Sequence, residues 1–192
     1  MVSDAIDRVQ SRCGIDAQTI GRPYPMLIIF GGLPGVGKTA IAAELARLIG
    51  ALHLRIDSIE QAIRASGVAS QPLNDVGYRV AYAVAEDNLR IGRTVIADSV
   101  NPLRLTREAW VSVANRVRVR AIEIEVKCSD VNEHRRRVER RTADIPGLEL
   151  PTWEEVVGRE YDPWDGEHLV IDTAGRTVGQ NVDAIRQVLP ER

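Results

Sequence analysis

One octapeptide restricts this chain more than anything else in it. Gly32-Leu33-Pro34-Gly35-Val36-Gly37-Lys38-Thr39 fits the pattern of glycine, four residues, then Gly-Lys-Thr without a mismatch. It follows the apolar run Met26–Phe30, which reads as a buried strand, and precedes a strong helix former over residues 40–49 that Gly50 closes. Glycines in such a turn let successive backbone N–H groups point into one concavity, with the positive end of the helix dipole behind it. A polyphosphate is then held largely by backbone, along Gly32 to Thr39 and Ala40. Lys38 reaches the terminal phosphates and the Thr39 hydroxyl holds Mg²⁺. The competing reading is a glycine-rich turn between a strand and a helix; against it stand the rarity of a chance match to the fixed positions and the flanking strand and helix.

A chain of 192 residues can bury a core as one domain without staples. Its 25 basic and 27 acidic residues give a net charge of −2, which disfavours a mainly electrostatic nucleic-acid binder without excluding it. Cys13 and Cys128 do not make a disulfide framework, no apolar run reaches the length of a membrane span, and a cytoplasmic location is expected. Residues 1–22 form an N-terminal extension in which Val2, Ile6, Val9 and Cys13 predict a short amphipathic helix; residues 23–192 form the domain.

Residues 51–56 read as a second strand ending at Asp57, with a helix over 58–66. In an open parallel α/β sheet the crevice lies at the carboxyl ends of the strands, which makes Asp57 a candidate base for an acceptor hydroxyl. A helix cap is the other role for an aspartate there. Arg64 is a candidate acceptor contact. Residues 72–92 carry Val76, Val80, Ala83, Val84, Asn88 and Ile91 at helical spacing and predict a long core helix. The strand over 94–97 ends at Asp98, placed as a metal-supporting carboxylate is placed in a Walker B element. Asn101, with Arg104 or Arg107 at the start of the next helix, is placed to reach an acceptor.

Residues 118–127 alternate as a fourth strand. Asp130 opens a helix on which Arg136 and Arg140, and Arg137 and Arg141, are spaced by four, each pair on one face and able to clamp a phosphoryl group. Residues 142–151 read as a loop, Thr152 with Glu155 as a capping box, 169–171 as a fifth strand and 180–189 as a terminal helix. Trp153 and Trp164 serve packing or stack on a ring.

With these pieces in order, the chain resembles the P-loop kinases of small molecules, related to nucleoside monophosphate kinases, over about residues 26–190. Chloramphenicol phosphotransferase, gluconate kinase and the polynucleotide 5′-kinase domain are similar in pattern. The resemblance implies a three-layer α/β fold with a five-stranded parallel sheet in the order 2-3-1-4-5, helices on both faces and an Arg-rich lid at about 128–164. It also implies Asp57 as base, Lys38, Arg137 and Arg141 on the phosphates, and ATP with Mg²⁺ at Thr39 and Asp98. The polynucleotide kinase pattern carries Arg three residues after the base, where this chain has Glu60. The expected activity is transfer of the γ-phosphoryl group to a hydroxyl of a small molecule. The rivals are a nucleotide-dependent switch with slow hydrolysis and a polynucleotide 5′-hydroxyl kinase. No guanine-reading Asn-Lys-x-Asp signature is present, which favours ATP.

Overall fold

A computed structural model describes residues 25–67 and 73–190. The helix expected within residues 1–22 lies outside them. Five strands, β1 (Met26–Gly31), β2 (Leu52–Arg55), β3 (Val95–Asp98), β4 (Arg120–Lys127) and β5 (Leu169–Asp172), form one parallel sheet in the order β2-β3-β1-β4-β5. Among the described residues seven helices accompany it: α1 (Lys38–Ile49), α2 (Ile56–Ala65), α3 (Val76–Arg90), α4 (Arg104–Val117), α5 (Val131–Arg140), α6 (Trp153–Val157) and α7 (Val178–Arg186). The expected three-layer architecture and strand order are therefore present. None of the described helices is long and apolar enough to cross a membrane.

Strand alternation divides the core into two layers. Ile28, Phe30 and Ile96 point to the side covered by α1 and α7, where Ile41, Leu45, Val182 and Ile185 meet them. Leu27, Ile29, Val95 and Ala97 point to the side covered by α3 and α4, where Ala85, Leu89, Trp110 and Val113 close the layer. Both faces of the central strands are buried, so β1 is apolar throughout rather than alternating. Each fully buried aliphatic side chain contributes about 1.5–3 kcal/mol relative to exposure. That rigid sheet is the platform on which the strand-end residues are fixed.

The helix α3 is turned opposite to the sequence expectation. Its inner stripe is Gly77, Ala81, Ala85 and Leu89, whereas Val76, Val80, Ala83, Val84 and the following Ile91 are exposed. Small residues let the helix approach its neighbours: a Cβ on Gly77 would lie 2.4 Å from Cγ of Glu60 on α2. Tyr82 fills the flank instead, edge-on to Trp110 with centroids 4.5 Å apart. Boundaries moved for local reasons elsewhere. Arg118 takes φ 60° to end α4, so β4 starts at Arg120, and a capping box between Thr177 and Gln180 starts α7 at Val178. The capping box at Thr152 and Glu155 forms as its sequence indicates.

Candidate active site

Between β1 and α1 the backbone turns through left-handed conformations that side chains disfavour. Gly32 has φ 136°, and a Cβ there would lie 2.2 Å from the Val126 carbonyl oxygen. Gly35 has φ 85°, and a Cβ there would lie 2.5 Å from Cγ2 of Val138 on α5. These two glycines are required by close approach as well as by torsion. The loop leads into α1 through Gly37, which offers no side-chain cap, and the first turn of α1 holds no acidic residue. Its N–H groups and dipole are thus left to an anion.

Lys38 lies within this turn, buried, and donates from Nζ to the Leu33 carbonyl at 2.9 Å. Burial pulls its pKa down to about 8; Asp98 and Asp57 oppose the shift, while Arg141 and Arg159 reinforce it. The charges that surround Lys38 therefore name the site. Pro34, Gly35, Gly37, Lys38, Thr39 and Ala40 form one wall of a cavity of about 910 Å³, and Asp57, Asp98, Arg137, Arg140, Arg141 and Arg159 line it too. Leu33, Val36 and Gly32 belong to the loop but do not line the cavity; Val36 is packed in the core.

Asp98 closes β3 beside Phe30 of β1 and Arg55 of β2, almost fully buried, with Oδ2 3.2 Å from Nε2 of His53. Thr39 and Asp98 present oxygen donors to the same cavity as Lys38. A hard divalent ion such as Mg²⁺ takes oxygen ligands, so this donor set fits it.

The helix α2 begins two residues earlier than the sequence suggests. Arg55 occupies the cap position, so Asp57 is the second residue of the helix rather than its cap. Its carboxylate is free of that duty, lines the cavity and stands 3.8 Å from the Arg55 guanidinium. Arg55 itself makes a forked pair with Asp144 of the 142–151 loop, at 2.5 and 3.0 Å. That fork holds the Asp144 carboxyl down at about 2. Glu60 and Arg64, one turn apart on α2, pair at 3.3 Å, and burial pushes the Glu60 carboxyl up.

The structure separates the remaining candidates. Arg137 lines the cavity, yet its guanidinium is engaged by Thr173 Oγ1 at 2.7 Å, by the Thr173 carbonyl at 3.0 Å and by Glu133. Arg141 faces the cavity from the end of α5. Asn101 and Arg107 do not line it. Asn101 is fully buried and donates from Nδ2 to the Phe30 carbonyl at 2.7 Å. Arg107, also buried, donates to the carbonyls of Asn101, Pro102 and Pro163 and lies 4.8 Å over the Trp164 ring. They brace the wall behind the cleft. Trp164 packs against Gly31 and Trp153 edge-on against His134, so both tryptophans serve packing.

Three features escaped the sequence reading. Arg159 joins Arg141 at the cavity, signalled in the sequence only by a lone basic residue after a short capped helix. His134 donates from Nε2 to the Pro34 carbonyl at 2.8 Å, fastening α5 to the loop. Asp144 carries the other half of the Arg55 fork, from 89 residues away.

Fold, loop and strand-end carboxylates together define a P-loop kinase-like protein. A family model described as an AAA domain matches residues 27–155, more than half of the chain, and the chain belongs to that family. A solved structure of Kti12 from Chaetomium thermophilum in complex with ADP-AlF3 is 26% identical, with a TM-score of 0.60, over 85% of this chain and 99% of that one. The APS kinase of Mycobacterium tuberculosis in complex with AMPPNP and APS is 17% identical, TM-score 0.65, over 87% and 98%. A gluconokinase from Sinorhizobium meliloti 1021 is 19% identical, TM-score 0.59, over 88% and 91%. At those two identities the likeness is one of fold. No curated protein matches the chain at a significant level.

Proposed function

We propose that this protein transfers the γ-phosphoryl group of ATP to a hydroxyl of a small molecule, with Mg²⁺ as cofactor. The observation that carries the reading is the convergence of Lys38, Thr39, Asp98, Asp57, Arg141 and Arg159 on one cavity. Its volume of about 910 Å³ is at the upper end of the range of small-molecule sites, as two ligands side by side require. The solved APS kinase with AMPPNP and APS supports the same use of this fold.

In this reading the loop amides and the N-terminus of α1 hold the phosphates, and Lys38 leaves the Leu33 carbonyl to meet the terminal group. Asp57 accepts the proton of the acceptor hydroxyl, or orients it, as its oxygen attacks phosphorus and the bond to the bridging oxygen of ADP breaks. Arg141 and Arg159 neutralise charge on the transferring group; Arg137 holds α5 in place behind them. Magnesium held by Thr39 and Asp98 would supply further charge neutralisation on the phosphate oxygens. The protein contributes position and electrostatics rather than a covalent intermediate.

A second reading, a nucleotide-dependent regulator with slow hydrolysis, is favoured by the 26% identity to Kti12 in complex with ADP-AlF3. Incubation with γ-labelled ATP, Mg²⁺ and a panel of sugars, sugar acids, nucleosides, antibiotics and 5′-hydroxyl oligonucleotides separates the two. Label on one small-molecule class is the expected result. Label released only as inorganic phosphate overturns phosphotransfer in favour of the regulator, and label on oligonucleotides moves the acceptor to nucleic acid.

A further inference from the structure

The fork between Arg55 and Asp144 joins two unequal partners. Asp144 sits on the 142–151 loop with its side chain 58% exposed, and its two oxygens meet Nη1 and Nη2 of Arg55 one to one. Arg55 closes β2 with its side chain only 11% exposed, lines the cavity, and its Nε has no acceptor among the described residues. A carboxylate that exposed is well hydrated without a cation and gains little from the pair. A guanidinium that buried needs an anion on its outer edge, because removing one leaves a charge with neither water nor a partner there. Asp144 is therefore exchangeable, and the seat it occupies on Arg55 is a built anion site inside the candidate active site.

We propose that the acceptor is a hydroxy acid whose carboxylate displaces Asp144 from Arg55 and so sets its hydroxyl at Asp57. This rests on the phosphotransfer reading above and names the class of alcohol that the site takes. Asp144 itself shows the fit, since guanidinium and carboxylate match two bonds to two. Arg141 adds a second cation at the same seat, and its charge, after the Arg55 bonds, helps to keep the Asp144 carboxyl ionised.

One nitrogen links the anion seat to the base. Nη2 of Arg55 lies 3.0 Å from Oδ1 of Asp144 and 3.8 Å from Oδ2 of Asp57. A carboxylate in the first position and a hydroxyl bonded to the second thus belong to one small molecule, a few carbons apart. A single negative charge restores the pairing that Arg55 loses with Asp144. The second charge of a phosphate monoester would lie beside Asp57 and Glu60, which line the same wall, so a carboxylate is the better occupant. In the transfer the hydroxyl oxygen bonds to the γ-phosphorus, the bond from that phosphorus to the bridging oxygen of ADP breaks, and the hydroxyl proton passes to Asp57. The acceptor carboxylate makes and breaks no covalent bond; it fixes which hydroxyl is presented.

The test uses the full chain with γ-labelled ATP, Mg²⁺ and matched acceptors: glycerate, threonate, malate and gluconate, the amide and the neutral polyol of each, and glycerol 3-phosphate and glucose 6-phosphate. Label on at least one acid, with kcat/KM about tenfold or more above its own amide, is expected. Arg55→Gln should bring that ratio to within about twofold of unity, and Arg55→Lys, which keeps the charge and loses the fork, should lower it by a smaller factor. Asp144→Asn, which removes the competing carboxylate, should lower the KM of the acid about threefold or more and leave that of the amide unchanged. Label on amides, polyols or phosphorylated sugars as readily as on acids overturns the hydroxy-acid assignment while phosphotransfer stands. A rise in KM for acid and amide alike in Asp144→Asn also overturns it, since the fork would then only hold the loop. Label found only in inorganic phosphate removes the phosphotransfer reading and this inference with it.

Discussion

The two walls of the cleft are built on different principles. The wall formed by Gly32 to Ala40 is made of backbone: its geometry comes from glycine torsions, close approach of Val126 and Val138, and one buried lysine. The wall formed by Arg55, Asp57, Glu60, Arg64 and Asp144 is made of charged side chains that pair with one another. The first offers amides and a helix N-terminus, which suit a polyphosphate. The second is adjustable, since exchanging a side chain there leaves the main chain untouched. In the proposed reaction, the chemistry common to many proteins falls to the first wall and selection of an acceptor to the second.

Substitutions on each wall sharpen that contrast. The largest effect is expected for Lys38→Ala, which should lower phosphoryl transfer by about 10³-fold with the fold intact by circular dichroism. Asp57→Asn, on the other wall, should leave ATP affinity within about twofold in calorimetry while cutting acceptor phosphorylation by roughly 10²–10⁴-fold. Normal turnover in that variant would remove the base from Asp57.

A smaller effect is expected from pH alone. Lys38 titrates at about 8 in the unliganded protein, below its ordinary value, and phosphate beside it raises that pKa. Above pH 8 binding must take up a proton, so ATP affinity should fall as pH rises, by at most about tenfold per unit. Lys38→Arg, permanently charged, should flatten the profile between pH 7.5 and 9.5. A flat profile in the parent would contradict the burial of Lys38. The smallest effect belongs to Asp144→Ala. Loss of a half-exposed fork should cost less than about 1 kcal/mol in denaturant titrations. It should shift the acceptor KM several-fold without moving the ATP KM, and equal shifts in both would erase the distinction between the walls.

The same division explains what could be read from the sequence. The phosphate wall is contiguous in the chain, so spacing alone was sufficient for Gly32 to Ala40, and the buried strands announced themselves by composition. The charged wall is assembled across 89 residues from Arg55 to Asp144, and no local pattern encodes that pairing. Asn101 lies in the turn after β3 and Arg107 in the first turns of α4, as the sequence indicates, yet position along the chain does not say which way a side chain points; both turned inward to carbonyls rather than to the cavity. For α3 periodicity identified an apolar stripe but not its direction, because Gly77, Ala81 and Ala85 made the opposite face equally able to meet the sheet.

Thr173 has a consequence for how the cleft can open. It accepts from Arg137 at 2.7 Å, and its hydroxyl also lies 2.9 Å from the Val36 carbonyl and 3.0 Å from that of Lys127. Together with His134 on the Pro34 carbonyl, this welds α5 to the glycine turn and to the end of β5. The arginine-bearing helix is thus part of the fixed frame, not of the door. Beyond Arg140 the 142–151 loop meets the α2 side of the cleft, among the described residues, through the Asp144–Arg55 fork and through Gln61 at Gly147, so a movement of that loop that breaks these contacts would leave α5 in place.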